Sequence, residues 1–269
     1  MSISAGTILQ SRYHILRKLG QGGMGAVYEA FDLNVSAIVA LKETSNAENV
    51  SLQAFRNEAK LLANLHHETL PLVMDCFYEN GGWFFVMEYV EGSDLEKSLE
   101  ERKEPFAVEE VLIWADQILD ALEYLHENGI IHLDIKPSNL KLTKRQKIKL
   151  LDFGISRGAI GEITTLQNSS IYGATRRYAP LEQLLAAYPD SRHMLEVNFK
   201  DRVESFGKIV DQRSDLFALA MTLYQLLSRR APEMADLRAM SVWSGKGDNL
   251  KPITEICPHV PPEVEAVLN

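Results

Sequence analysis

Ile130–Leu142, IIHLDIKPSNLKL, is the stretch on which the reading of the whole chain turns. Apolar residues flank a short polar segment that places Asp134, Lys136 and Asn139 within six positions. A carboxylate to orient a hydroxyl, a cation to offset phosphate charge and an amide oxygen to hold a metal are parts that phosphoryl transfer needs. The same three residues fit an ordinary surface turn equally well. The sequence on either side has to decide between the two.

Downstream, Ile148-Lys149-Leu150-Leu151 reads as a short strand that ends at Asp152-Phe153-Gly154. A carboxylate at a strand end, followed by a permissive glycine, can ligate Mg²⁺ beside Asn139; on its own it is also a common Asp-x-Gly turn. Residues 155–178 are rich in Gly, Ser, Thr and Arg without periodicity, which reads as a long functional loop. Leu216–Leu227 is apolar nearly all round and predicts a buried helix. Upstream, Val108, Val111, Leu112, Ala115, Ile118, Leu119, Leu122 and Leu125 mark a long amphipathic helix over 107–127, with Gly129 as its stop.

The first 90 residues have a different character. Residues 13–31 alternate around a glycine cluster and predict strand, turn, strand. Ile38–Lys42 is a third strand. Leu52, Phe55, Ala59, Leu62 and Leu65 share a helical face over 51–65. Leu72–Phe77 and Trp83–Val90 are two more strands around the turn Glu79-Asn80-Gly81-Gly82. The expected architecture is a five-stranded antiparallel sheet with one helix, a hinge near 88–92, and a larger helical part.

Bulk properties narrow the function. A net charge of −9 over 269 residues argues against a nucleic-acid binder. Cys76 and Cys257 are too few and too far apart for a disulfide framework and read as free, buried cysteines. Every apolar run is shorter than the ~18 residues needed to cross a bilayer. The opening MSISAGTILQSRY has no basic region followed by an apolar one, so no secretory signal is expected and a cytoplasmic setting is.

Gly20-Gln21-Gly22-Gly23-Met24-Gly25 fits G-x-G-x-x-G. A dinucleotide site would need a helix straight after the glycines. Here Val27 and its neighbours predict a strand, so a flap over a triphosphate is the better fit, with a plain hairpin as the simpler alternative. A Walker-type loop is excluded by the lack of Gly-Lys-Ser/Thr. Lys42 ends an apolar strand and, alone, would be read as reaching for solvent. Glu58, in the predicted helix, can hold that lysine by an ion pair.

The order of these pieces resembles the protein kinase superfamily, and within it the bacterial Hanks-type serine/threonine kinases. Leu19–Val27 is similar to the Gly-rich loop and Val39-Ala40-Leu41-Lys42 to the lysine strand. Glu58 is similar to the helix αC glutamate and Val86–Val90 to the last N-lobe strand and hinge. His132–Asn139 resembles the catalytic loop, Asp152–Gly154 the metal-binding DFG, Tyr178–Gln183 the end of the activation segment, and Asp211–Leu227 helix αF. The resemblance runs from about residue 13 to about residue 230. It implies an α+β bilobal fold: an extension over 1–12, an N-lobe over 13–90 and a mainly helical C-lobe over 91–269, incomplete near helix αH.

The resemblance also implies roles. Asp134 would accept the proton of a Ser/Thr hydroxyl on a protein substrate, and Lys136 would stabilise the transferring phosphoryl group. Asn139 and Asp152 would hold Mg²⁺, or Mn²⁺ in its place. Lys42, locked by Glu58, would position the ATP phosphates under Gly20, Gly22 and Gly25. Leu19, Val27, Ala40, Lys141 and the gatekeeper Met87 would surround adenine, Glu88 and Val90 would bind it through backbone groups, and Asp94 would meet the ribose. Leu62, Val73, His132 and Phe153 would stack as a spine anchored by Asp215. Thr175, seven residues before Glu182, would bond Asp134 and Lys136. Thr164, Thr165, Ser169 and Ser170 would be autophosphorylation sites. A pseudokinase, a nucleotide-binding scaffold without transfer, is the alternative.

Four features depart from the family pattern. Leu133 stands where an arginine that pairs with a loop phosphate is usual, so activity is expected to depend less on loop phosphorylation, with Arg157, Arg176 or Arg177 as substitute charges. Lys141 stands where an apolar adenine floor is usual. Leu185–Val210 is a longer connection than the family needs, either a specific helix or docking surface or a solvated insertion. The arginine that would pair with Glu182 is missing, so water or another cation is expected there.

Overall fold

The computed structural model describes residues 3–22, 25–44, 52–152, 175–206 and 210–268. They form two compact units that divide between Glu91 and Gly92.

The first unit is a six-stranded antiparallel sheet with one helix. Its strands are β1 (Ile8–Leu9), β2 (Tyr13–Gly22), β3 (Gly25–Asp32), β4 (Ala37–Thr44), β5 (Val73–Glu79) and β6 (Gly82–Glu88). Their order is β1-β2-β3-β4-β6-β5. Five strands were expected; the sixth, β1, is two residues long and pairs with Tyr13 and His14. Leu9 holds it by entering the core completely. Asn80 and Gly81 both adopt positive φ, 53° and 80°, between β5 and β6. That is the backbone a two-residue hairpin with the sheet's natural twist requires. A strand, not a helix, follows Gly25, which removes the dinucleotide reading.

The register sorts this sheet into two faces, because residues opposite one another and residues two apart share a side. Tyr28, Leu41 and Val86 lie on one face and form a closed core with Leu9, Tyr13 and Phe84. Val27, Lys42 and Phe85 lie on the other, as do Ala40 and Met87. Helix α1 (Leu52–Ala63) meets this second face, where the Phe55 ring packs 4.7 Å from that of Phe85 and 4.2 Å from that of Trp83.

The second unit is mainly helical. It contains β7 (Ser93–Asp94), α2 (Leu95–Glu101), α3 (Val108–Glu127), β8 (Leu140–Leu142) and β9 (Ile148–Leu150). These are followed by α4 (Leu181–Ala187), α5 (Pro189–Ser205), α6 (Gln212–Ser228), α7 (Ala235–Trp243), α8 (Ile253–Ile256) and α9 (Pro262–Leu268). Helix α3 stops as its sequence requires: Gly129 takes φ 72° and Ile130 N–H returns to the carbonyl of Leu125. Its apolar stripe packs on α6, whose buried surface extends over most of its circumference. Strands β7, β8 and β9 form a small sheet beside the 130–142 stretch.

Of the long connection 185–210, the described part supplies the end of α4 and all of α5, which packs on α4 and α7 through Leu195 and Val203. Phe199 breaks the helical backbone inside α5, with φ −140°, and its ring meets Trp243 edge-on at 5.7 Å. Both cysteines are free, Cys257 buried and Cys76 half-buried. Among the described residues no helix is long and apolar enough to cross a membrane.

Candidate active site

The 130–142 stretch is held from below by α6. Asp215, fully buried, accepts the N–H groups of His132 (2.8 Å) and Leu133 (2.7 Å) and contacts His126 Nε2 at 2.8 Å. A buried carboxylate is costly unless its lone pairs are filled, and these three contacts fill them. Two turns later Thr222 Oγ1 lies 3.4 Å from the carbonyl of Ile135. Pro137 opens a short 3-10 turn, Pro137–Asn139, which delivers Leu140 into β8.

His132 is buried and bonded at both ring nitrogens. Nε2 lies 3.0 Å from the carbonyl of Leu151, and Nδ1 accepts the N–H of Asp134 at 3.2 Å. That pair of roles belongs to a neutral imidazole protonated at Nε2, and burial pushes its pKa below the ordinary value. The ring therefore acts as a brace between the loop and the end of β9.

Asp134, 6% exposed, gathers the cluster. Lys136 Nζ reaches its two oxygens at 3.1 and 3.0 Å. Asn139 Nδ2 donates to Asp134 Oδ2 (2.9 Å) and to its backbone carbonyl (2.8 Å). With the amide nitrogen so engaged, the oxygen of Asn139 is the end available as a ligand. Leu151 N–H donates to the carbonyl of Asn139 (2.8 Å), which brings Asp152 to the neighbouring position. Asp152 adopts φ 61°. Among the described residues no three His, Cys, Asp or Glu side chains cluster as a cage. One carboxylate and one amide oxygen suit a Mg²⁺ that takes its remaining ligands from phosphate and water.

Lys42 and Glu58 lie in the first unit. Lys42, only 2% exposed, shares its sheet face with Val27, Ala40 and the buried Met87. Glu58 projects from α1 with its carboxyl largely desolvated. Desolvation pushes its pKa from 4.5 to about 8, against a smaller downward pull from the Lys42 charge, and Oε1 is buried without a hydrogen-bond partner. Leu62 and Val73 are buried in the same unit. Leu19 and Gly20 lie in β2 and Gly25 in β3, with Gly22 opposite Gly25. Glu88 N–H donates to the Leu72 carbonyl at 2.8 Å, and Val90 is buried just beyond it.

In the second unit Asp94 caps α2, accepting Lys97 N–H at 2.8 Å. Lys141 sits in β8 between Asp94 and Lys149. Thr175 begins a 3-10 turn, Thr175–Arg177. Arg176 turns into the second unit: it bonds Asp190 (2.9 Å) and the Ser191 hydroxyl, and its guanidinium lies 4.2 Å over the Tyr188 ring. Arg177 donates to the Pro232 carbonyl, and Tyr178 bonds Gln225. Phe153, Arg157, Thr164, Thr165, Ser169 and Ser170 lie outside the described residues.

Glu182 Oε1 accepts the hydroxyl of Ser214 at 2.8 Å, and its charge acts on the Arg213 guanidinium, a cation of the expected kind. Sequence reasoning missed Gln183, which donates from Nε2 to the carbonyl of Leu133 at 2.9 Å, and His126 beneath Asp215. Neither residue carries a local signal: an amide on a short helix and a histidine near a helix end are ordinary surface residues until the fold buries them.

The family model for the protein kinase domain matches residues 13–249. A probable serine/threonine-protein kinase of Streptomyces coelicolor is 34% identical over 97% of this chain and 36% of its own length. The probable serine/threonine-protein kinase PknB of Lactococcus lactis is 26% identical over 99% of this chain and 39% of its own. The serine/threonine-protein kinase PrkC of Bacillus subtilis is 31% identical over 84% of this chain and 32% of its own. The chain thus spans about a third of the length of the curated relatives it matches. On the match over 13–249 and the similarity to these relatives, the chain belongs to the protein kinase family, in its bacterial Hanks-type serine/threonine branch.

Proposed function

We propose that this chain transfers the γ-phosphoryl group of ATP to serine or threonine hydroxyls of proteins, its own activation segment among them. The observation that carries the reading is the Asp134 cluster: a buried carboxylate contacted by Lys136 and braced by Asn139, on a loop whose backbone is bonded to α6. Phosphoryl transfer gains its rate from positioning and from charges fixed in advance, and this loop supplies both.

In this reading Asp134 orients the acceptor hydroxyl and takes its proton. Lys136 neutralises charge on the transferring group. Lys42 positions the α/β-phosphates, with Glu58 as its partner, and the Gly20–Gly25 turn covers them. Val27, Ala40, Met87 and Lys141 enclose adenine, Glu88 and Val90 contact it through the backbone, and Asp94 meets the ribose. Family membership carries ATP and a divalent cation. That the cation is Mg²⁺, held by Asn139 and Asp152, is part of the proposal; when bound it supplies positive charge against the phosphates. Residues 13–90 serve as N-lobe and 91–269 as C-lobe, in a cytoplasmic setting, with no nucleic-acid partner.

The test is transfer of label from γ-labelled ATP, with Mg²⁺, to the chain itself and to casein. Label on serine and threonine from the wild-type chain, absent from D134N, is the expected result. Equal labelling by D134N would sink the assignment of Asp134, label confined to tyrosine would sink the acceptor class, and nucleotide binding without transfer would leave a scaffold. Mass spectrometry of the same samples maps Thr164, Thr165, Ser169 and Ser170.

A further inference from the structure

Gln183 has no place in the mechanism above, yet it is 2% exposed and its amide is aimed at the catalytic loop. We propose that Gln183 is a positioning residue for phosphoryl transfer, acting through the Leu133–Asp134 peptide; this rests on the kinase reading of Asp134.

Leu133 adopts φ 62°, the left-handed region, which disfavours any residue with a Cβ and a leucine no less. Such a conformation persists only where the surroundings over-determine it. Here they do. The Leu133 N–H is held by Asp215 at 2.7 Å. The next peptide unit is pinned at both polar groups: its carbonyl, on Leu133, by Gln183 at 2.9 Å, and its N–H, on Asp134, by His132 Nδ1 at 3.2 Å. Relaxing Leu133 to a common conformation would swing this peptide, and with it the Asp134 side chain. It would also leave the Gln183 amide buried with a lost partner, which is unfavourable.

Gln183 itself is fixed by its helix. Leu184 and Leu185 are buried beside it, and Glu182 is bonded to Ser214. The hydrogen bond from the Gln183 side chain therefore connects the segment that begins at Thr175 to the catalytic carboxylate through the Leu133–Asp134 peptide. It needs no guanidinium at position 133 and no phosphate.

The experiment compares kcat, KM for ATP and thermal unfolding for the wild-type chain, Q183L, Q183E, L133G and L133G/Q183L, with D134N as control. Q183L removes the donor, and Q183E removes it at constant volume. Both are expected to lower kcat about 10- to 100-fold, as small misplacements of a reacting group do, with KM for ATP changed less than about threefold. Glycine adopts the left-handed region readily, so in the L133G background the same Q183L change should cost less than about threefold in kcat. If Q183L does not fold, Q183E and L133G/Q183E are read in its place. Retention of kcat by Q183L or Q183E overturns the inference. So does an equal loss in the Leu133 and L133G backgrounds, which would mark a merely structural residue. An inactive wild-type chain, or a D134N as active as wild type, would instead count against the kinase reading itself.

Discussion

Lys42 and Asp134 are both charged, both buried, and set in opposite surroundings. Around Asp134 the chain satisfies its own polar groups: Lys136 and Asn139 on the carboxylate, His132 on its N–H, Gln183 on the preceding carbonyl. Glu58, the residue expected to pair with Lys42, instead carries a buried oxygen without a hydrogen bond and a pKa pushed up to about 8. The difference teaches that the catalytic loop is organised by the fold itself, whereas the charge on Glu58 is left for pH to set.

The largest effects should come from breaking the two centres. D134N is expected to reduce transfer by about 10²- to 10⁴-fold, the range for loss of a positioned proton acceptor, with little change in thermal unfolding. K42A should reduce transfer by a similar order. The two should differ in what they leave behind. Without Lys42 the downward pull on Glu58 is gone, so its carboxyl should titrate even higher than in the wild type. Carboxyl-selective infrared or NMR titration of K42A against wild type checks this; an unmoved Glu58 would mean that the two residues are not coupled.

Glu58 gives a sharper test, because stability and activity should respond to pH in opposite directions. Its folded pKa lies above the unfolded value, so between pH 4.5 and about 8 the native state holds a proton that the unfolded chain has released. Native stability from this group falls as pH rises through that window, by about 1.4 kcal/mol per unit at most. E58Q cannot ionise and should lose this dependence, becoming more stable relative to wild type at pH 8.5 than at pH 5 in parallel urea unfolding, on the order of a few kcal/mol. Transfer by the wild type should rise as pH passes through about 8 and Glu58 acquires the charge that holds Lys42. E58Q should be slow and flat across the same range. A rising profile in E58Q would assign the titration to another group.

How much of this was legible in the sequence follows from where each signal is stored. The strands of the first unit alternate, and alternation is written in the chain, so the sheet and the shared face of Val27, Ala40, Lys42 and Met87 follow from it. Strand β1 does not: two residues cannot show a period, and Leu9 is in the core only because its neighbours reach it. Asp134, Lys136 and Asn139 are close in sequence and read as a unit. Gln183 and Leu133 are 50 positions apart and joined through a backbone carbonyl, which has no residue identity to read. The state of Glu58 depends on desolvation, a property of the packed helix and not of the letter. Helix α5 is hard to read from the sequence for a related reason. Its charged residues interleave with its apolar ones, Val197 is exposed, and Phe199 interrupts the backbone, so no single periodic face exists.

That helix supplies an intermediate effect. Ser191, at the start of α5, donates to Asp236 of α7 at 2.6 Å and lies against Arg176, all within the second unit. S191A leaves the buried Asp236 short of one donor, a loss of about 1–3 kcal/mol. Urea unfolding should register it, and transfer should fall by a smaller factor than in Q183L, because Arg176 keeps Asp190. If S191A is as stable as wild type, α5 does not anchor the segment that follows Thr175.

The smallest effects are expected from Ser169 and Ser170. A loop phosphate activates by recruiting arginine into charge-assisted hydrogen bonds. The catalytic loop offers Leu133 where that arginine would stand. Of the candidate substitutes among the described residues, Arg176 is committed to Asp190 and the face of Tyr188, and Arg177 to the carbonyl of Pro232. The side-chain bond from Gln183 to the Leu133 carbonyl already couples this end of the segment to Asp134. S169A and S170A should therefore each retain transfer within about threefold of wild type, since the one to three bonds a phosphate could add have no arginine at position 133 to receive them. Loss of all activity in either variant would mean that a phosphate does what Gln183 is proposed to do, and the contrast between a self-sufficient catalytic loop and the unsatisfied carboxyl of Glu58 would not hold.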